Sequence, residues 1–157
     1  MDQEAIIGYV AETFPAVKVL RPTEGAGAGD TFFYSDPHGD VDLTRQLPFA
    51  TIVTKDYGDF DNLSRLDRPG VFRLNIGLSR ETFRSLFGSA VRAEDAETDA
   101  QDFAALDRLM PHPVYAPQSW VCVLNPGPAT FEALKPLLAE AYSRAARRQG
   151  GGEAGSD

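Results

Sequence analysis

The chain has 157 residues, 43% of them hydrophobic, which is the size and composition of one folded domain that needs no metal or disulfide to hold it together. Its single cysteine, Cys122, excludes a disulfide within the chain. With 15 basic against 23 acidic residues, the formal net charge is −8, which argues against nucleic acid as a partner, because that binding depends on Lys and Arg contacts to phosphates.

The first residues are acidic where a secretory signal would be basic, and the longest apolar runs are far shorter than a membrane span. We therefore expect a cytoplasmic protein that has no membrane-spanning segment.

The first quarter of the chain predicts a helix followed by a hairpin. Apolar residues recur at helical spacing over 2–14, and Asp2 is a suitable N-cap. Short strands are predicted over 17–20 and 31–34. The glycine-rich run over 25–29 lies between them and is typical of a hairpin loop.

The middle of the chain predicts two further strands and a helix. Residues 49–54 are rich in β-branched side chains, and residues 71–77 alternate between apolar and mostly polar side chains. That alternation puts Arg73 and Asn75 on one face and the apolar side chains on the core face. A helix is predicted over 79–88, because Ser79 is a good N-cap and glycine ends the segment.

The last third predicts a loop, two helices and one strand. Residues 89–101 are acidic and without apolar periodicity, which indicates a mobile surface loop, and a short helix is predicted over 103–109. A strand over 120–124 precedes a helix over 129–148, in which an internal proline predicts a kink or a restart. The Gly-rich tail over 149–157 is predicted to be disordered.

This order of elements indicates a single α+β domain over residues 1–148. The strands cluster in the middle, and helices do not alternate regularly with them, as they would in a doubly wound parallel sheet. The expected fold is therefore a curved antiparallel β-sheet with helices packed mainly on one face.

Several segments resemble a bacterial family that is catalogued as a domain of unknown function. They are residues 49–57, residues 67–77, His112-Pro-Val-Tyr115 and residues 119–126. The order of these segments is also similar to the MmcQ/YjbR-like proteins, in which an arginine–leucine–asparagine strand and a histidine–tryptophan segment occupy comparable places. The resemblance implies an α+β fold of that type and, by structural analogy, a link to DNA binding. The acidic segments of this chain depart from the basic loops that DNA binding requires.

The signatures of several catalytic chemistries are missing. Two histidines and one cysteine are too few for a zinc site, and no metal is expected. Cys122 stands between two valines, which indicates a buried thiol and not a reactive one. Ser79 lies in no G-x-S-x-G motif. The glycine run at 25–29 precedes a strand, so it lacks the helix N-terminus that holds a phosphate, and no cofactor is expected.

One set of side chains combines polar and aromatic groups that the predicted strands can bring together. Its members are Lys55, Tyr57, Arg73, Asn75, His112, Tyr115 and Trp120. If the neighbouring strands pair with residues 71–77, these groups converge on the exposed concave side of the sheet, an arrangement typical of a small-molecule site. The competing structural interpretation pairs Arg73 with Asp67 or another carboxylate and packs Trp120 in the core.

Three arginines end the predicted last helix: Arg144, Arg147 and Arg148. Cations there offset the helix dipole, and a phosphate-binding patch is the second interpretation.

Together these observations favour a binding or regulatory module, which takes a small molecule or a protein segment, over an enzyme. Two alternatives stay open. One is DNA binding by fold analogy, and the other is a hydrolase that uses His112 as its general base, since histidine titrates near neutral pH. The sequence does not indicate the oligomeric state.

Overall fold

A computed structural model describes residues 1–88 and 102–154, with side chains as far as residue 148. In chain order the elements are α1 Gln3–Thr13, β1 Val17–Leu20, β2 Thr31–Ser35, β3 Ala50–Val53, β4 Arg73–Gly77, α2 Arg80–Phe87, β5 Met110–Pro111, a 3₁₀ turn Ala116–Gln118, β6 Trp120–Leu124 and α3 Pro128–Ala154. No helix among the described residues has the length and apolar character needed to cross a membrane.

The strands form one six-stranded open sheet in the order β1-β2-β3-β4-β6-β5, and every neighbouring pair is antiparallel. This confirms the predicted α+β class with an antiparallel sheet. The β1–β2 hairpin with its glycine-rich loop is also confirmed. Because β3 and β6 pair with β4 on either side, β4 lies in the middle of the sheet, and both of its flanks are hydrogen-bonded.

The main core lies between one face of the sheet and the helices. Ile6 and Val10 of α1 and Phe83 of α2 pack there with Leu134 and Leu138 of α3. From the sheet, alternate residues of β4 and β6 point into this core, as the period of two requires. The helix starts are those that the sequence predicts, since the side chains of Asp2 and Ser79 each accept a backbone N–H of the first turn.

The opposite face of the sheet, which we call the loop face, carries a smaller apolar cluster and irregular segments. The cluster consists of Val53, Leu66, Phe103, Met110, Cys122 and Leu124. Residues 57–66 and 112–116 lie over the neighbouring part of this face and bring buried polar groups against β4. The loop face is therefore partly covered and not an open concave surface.

The predicted helix over 103–109 is wrong. The chain forms a turn there instead. The side chain of Asp102 accepts the backbone N–H of Ala104, and its backbone oxygen accepts the N–H of Ala105. Leu106 then forms a parallel bridge with Leu124. The apolar spacing that resembled a helix instead reflects separate contacts, because Phe103 packs in the loop-face cluster while Leu106 stays largely exposed.

Three further predictions concern the acidic loop, the last helix and the C-terminal tail. The predicted loop over 89–101 lies outside the described residues. The last helix is continuous through Pro136, so it does not restart there, and it runs to Ala154. Its side chains beyond residue 148 are not described, and residues 155–157 lie outside the described range, so the disordered tail stays a prediction.

Candidate functional site

The pairing register places the polar side chains of β4 on the loop face. Arg73 is opposite Val53 and Leu124, and Asn75 is opposite Thr51 and Cys122. Both polar residues are buried, with exposed fractions of 1% for Arg73 and 3% for Asn75. The sequence correctly predicts that they share a face, but the expectation that this face is exposed is wrong, because irregular segments cover it.

A guanidinium at the centre of the loop face organises the polar groups around it. Arg73 donates two hydrogen bonds to Asp61, at 3.1 and 2.6 Å, and one to Ser64 at 2.9 Å. Its Nε donates to Asn75 at 2.8 Å, and Asn75 in turn donates to Thr51 at 2.9 Å. A buried charge is tolerated when it is paired with a carboxylate and most of its N–H groups are hydrogen-bonded, as in this group, which we call the Arg73 cluster.

The carboxylate that pairs with Arg73 is Asp61, twelve residues earlier in the chain. The structural interpretation correctly expects a carboxylate as the partner of Arg73, but the residue that it names first, Asp67, is wrong. The side chain of Asp67 accepts the backbone N–H of Asp56 instead, at 3.2 Å. The ion pair joins the segment over 57–66 to the central strand.

His112 completes the Arg73 cluster and is held in one tautomer. Its Nδ1 accepts the backbone N–H groups of Val114 and Tyr115, each at 3.0 Å, so the neutral ring must carry its hydrogen on Nε2. Nε2 lies 3.3 Å from a terminal nitrogen of Arg73. Burial first, and then the charge of Arg73, lower the pKa of His112 to about 3, so the ring is neutral at physiological pH.

Aromatic side chains stand beside these polar groups. The ring of Tyr115 lies 5.0 Å from that of His112 and 6.1 Å from that of Phe60, measured between centroids. The indole of Trp120 lies against Gly77, where an added Cβ would come within 2.9 Å of two ring carbons. A glycine is therefore required at this position by the close approach of the indole.

The polar and aromatic groups line one cavity of about 700 Å³, which is within the range of small-molecule sites. Its lining residues are Phe32, Leu47, Pro48, Phe49, Thr51, Val53, Tyr57, Phe60, Asp61, Arg73, Asn75, Gly77, Leu78, His112, Tyr115, Gln118, Trp120, Arg144 and Arg148. The cavity thus extends along the loop face to the end of β4, where α3 contributes two arginines.

Six of the seven residues selected from the sequence line this cavity, and Lys55 does not. Its ammonium donates to the backbone oxygen of Ala28 at 2.7 Å and to buried Asp30 at 3.2 Å, so it anchors the glycine-rich loop. The hydroxyl of Tyr57 also donates to Asp30, and burial, followed by this hydrogen bond, raises the pKa of the Tyr57 phenol.

Sequence reasoning missed Asp61, Ser64 and Phe60, and it gave the two cavity arginines of α3 a phosphate-binding role only as the second interpretation. The first three lie in an irregular segment, where no periodicity indicates which side chains turn inward. The helix dipole, which is the first explanation for Arg144 and Arg148, is an effect that falls off within the last turn. Because α3 continues to Ala154, that explanation does not hold for them.

The described part of the chain contains neither a group of metal ligands nor a reactive thiol. No group of three or more His, Cys, Asp or Glu side chains is placed to hold a metal ion there. Cys122 is fully buried, and burial raises the pKa of its thiol to about 12, which keeps it protonated. A protonated and inaccessible thiol is a poor nucleophile.

Asp61→Asn tests the buried ion pair. The amide cannot neutralise Arg73, so an uncompensated charge stays buried, and we expect the free energy of unfolding to fall by about 3–5 kcal/mol. Glu4→Gln is the matched control, because Glu4 pairs with Arg21 on the exposed surface and its loss costs at most about 1 kcal/mol. Urea denaturation measures both, and equal losses in the two variants would contradict the role of the Arg73 cluster.

Gly77→Ala tests the contact with the indole. The added methyl must displace the ring of Trp120, and we expect a loss of about 1–3 kcal/mol and a changed fluorescence spectrum of this single tryptophan. In the control Gly8→Ala, the new methyl meets only Glu12, at 3.9 Å, and we expect unchanged fluorescence. An unaltered spectrum in Gly77→Ala would mean that the indole is placed elsewhere.

The low pKa of His112 predicts a loss of stability in acid. The unfolded imidazole has a pKa of about 6.5, so below that pH the unfolded chain binds a proton that the folded chain does not, until the pH falls to about 3. His112→Asn removes this titration and keeps an oxygen acceptor for Val114 and Tyr115. Between about pH 6.5 and about pH 5, we expect the wild type to lose roughly 1.5 kcal/mol more than the variant in urea denaturation. Parallel stability profiles would refute the neutral buried state.

Comparison with known proteins identifies a family. No match was found among curated proteins or among solved structures. A family described as a family of unknown function, DUF6194, matches residues 1–153, which include all of the cavity. The match confirms the prediction of a family without an assigned function. The chain belongs to the family of unknown function DUF6194.

Proposed function

We propose that this protein is a binding module whose cavity on the loop face takes a small molecule. The observation that carries the proposal is the convergence of six residues of the polar and aromatic set on one cavity of about 700 Å³. The cavity combines aromatic walls with a few polar groups whose positions are fixed by their own hydrogen bonds. That combination is typical of ligand sites, in which the apolar walls contribute affinity and the polar groups fix orientation.

The entrance to the cavity supports the same function. Phe60 and Tyr115 both line the cavity, and their exposed fractions are 62% and 41%. Large aromatic side chains seldom stay this exposed in pairs on a surface that has no partner. Their ring centroids lie 6.1 Å apart at an interplanar angle of 58°, and a planar or apolar ligand in the cavity would cover them.

The geometry does not support a hydrolase that uses His112 as its general base. Nδ1 is occupied by two backbone donors, and Nε2, which carries the hydrogen, faces the guanidinium of Arg73. A general base also works best with a pKa near the working pH, and about 3 is far below it. The role that this ring can fill is that of a hydrogen-bond donor.

DNA binding and the MmcQ/YjbR-like relationship rest on resemblance. The antiparallel sheet with its helices on one face supports the fold relationship. The net charge of −8 weighs against DNA, since binding to phosphates requires a basic surface. Anisotropy of labelled duplex DNA at low salt decides this alternative, and affinity above that of an unrelated acidic protein would support it.

A metabolite library tests the proposed function. We expect at least one compound to raise the melting temperature and to change the fluorescence of Trp120, which lines the cavity. A library without any effect on either would overturn the proposal.

A pair of variants ties the binding to the cavity. Phe60→Ala removes an exposed lining ring, so we expect unchanged stability and about tenfold weaker binding of the compound found. Leu63→Ala is the control, because Leu63 is 55% exposed, lies three residues away and does not line the cavity. Equal affinity in the two variants would place the compound outside the cavity.

A further inference from the structure

The Arg73 cluster leaves two hydrogen-bond donors at the cavity without an acceptor. Four of the five N–H groups of Arg73 donate to Asp61, Ser64 and Asn75. The fifth faces Nε2 of His112 at 3.3 Å, and Nε2 carries a hydrogen because Nδ1 accepts two backbone N–H groups. Two donors cannot satisfy each other, so an oxygen acceptor that approaches from the cavity would bond to both.

This end of the cavity favours a neutral acceptor. The charge of Arg73 is already neutralised by its bidentate contact with Asp61, and His112 is neutral. A carbonyl or hydroxyl oxygen would satisfy the two donors without adding a charge to the buried site, where an uncompensated charge is costly.

The other end of the cavity carries positive charge. Arg144 and Arg148 both line the cavity, and neither has a carboxylate at ion-pair distance among the described side chains. Glu140, one turn before Arg144, accepts hydrogen bonds from the backbone of Ser79 and the hydroxyl of Thr82 on α2. The carboxylate of Glu140 is therefore hydrogen-bonded to α2 and its N-cap, and it reaches Arg144 only through a longer-range charge interaction.

The two ends are separated by most of the length of β4. Ser79 lies two residues after the end of β4, so its bond with Glu140 places this part of α3 beside the C-terminal end of the strand. Arg73 begins β4 and Gly77 ends it, and the four residue steps between them span about 13 Å. Tyr115 lies against His112 and Trp120 lies against Gly77, and both contribute aromatic wall.

Building on the proposed function, we infer that the ligand is an elongated organic anion with an aromatic or apolar body. Its carboxylate or phosphate pairs with Arg144 and Arg148, and a neutral oxygen acceptor at its other end bonds to His112 and Arg73. Arginine suits the first role, because its fork of N–H groups matches both carboxylate and phosphate oxygens.

The test uses matched acids and neutral partners with the full chain. Para-acetylbenzoate is compared with para-acetylbenzamide, and para-acetylphenyl phosphate with para-hydroxyacetophenone, together with the biphenyl homologues of each. Titration calorimetry at low and high salt measures the affinities, and the same pairing is applied to every compound found in the metabolite library. We expect the acids to bind at least about tenfold more tightly than their neutral partners, with an advantage that shrinks in high salt.

Variants at each end separate the two roles. In the double variant Arg144→Gln with Arg148→Gln, we expect the advantage of the acids to disappear while the neutral compounds bind as before. Arg147→Gln is the matched control, since Arg147 is exposed on the same helix and does not line the cavity. His112→Asn keeps the acceptor for the backbone of Val114 and Tyr115 but removes the Nε2 donor, and we expect it to weaken acids and neutral compounds by a similar factor.

The outcomes distinguish this inference from the proposed function. Neutral partners that bind as tightly as their acids, or an acid advantage that survives the double variant, would overturn the inference and leave a ligand-binding protein. Ligands found only among neutral compounds would do the same. If neither the matched compounds nor the library contains any ligand, the proposed function itself fails.

Discussion

The buried ion pair between Arg73 and Asp61 is the interaction on which the loop face depends. A guanidinium in the middle strand of a sheet is expensive to bury, and this one is tolerated because Asp61, Ser64 and Asn75 satisfy most of its N–H groups. The same bonds tie an irregular segment to β4 and place His112 beside it. The shape of the cavity therefore follows from the need to solvate one charge inside the protein.

Much of the fold could be predicted from the sequence, because regular elements have a period. The alternation over 71–77 correctly puts Arg73 and Asn75 together on one face, and the same rule puts Trp120 on that face through its strand. The exposure of the face could not be predicted. It depends on how residues 57–66 fold over the sheet, and an irregular segment carries no repeat that shows which of its side chains turn inward.

In the candidate site, too, residues on regular strands could be predicted better than residues in irregular segments. The strand residues Arg73, Asn75 and Trp120 line the cavity, while Lys55, two residues after β3, anchors a loop through Asp30 instead. Arg144 and Arg148 reach the cavity only through tertiary packing of α3 against the end of β4, which is a contact between parts of the chain some seventy residues apart. Local sequence offers a sufficient explanation for such cations at a helix end, so their role becomes visible only in three dimensions.

The short strand β5 has a consequence for association with other proteins. It forms one border of the open sheet, has only two residues and includes Pro111, which has no amide hydrogen to donate. An incoming strand would find almost no ladder to extend at that border, whereas β1 at the opposite border has four residues and no proline. Recruitment of a partner by strand addition, and the risk of edge-to-edge aggregation, are thus confined to the hairpin side of the molecule.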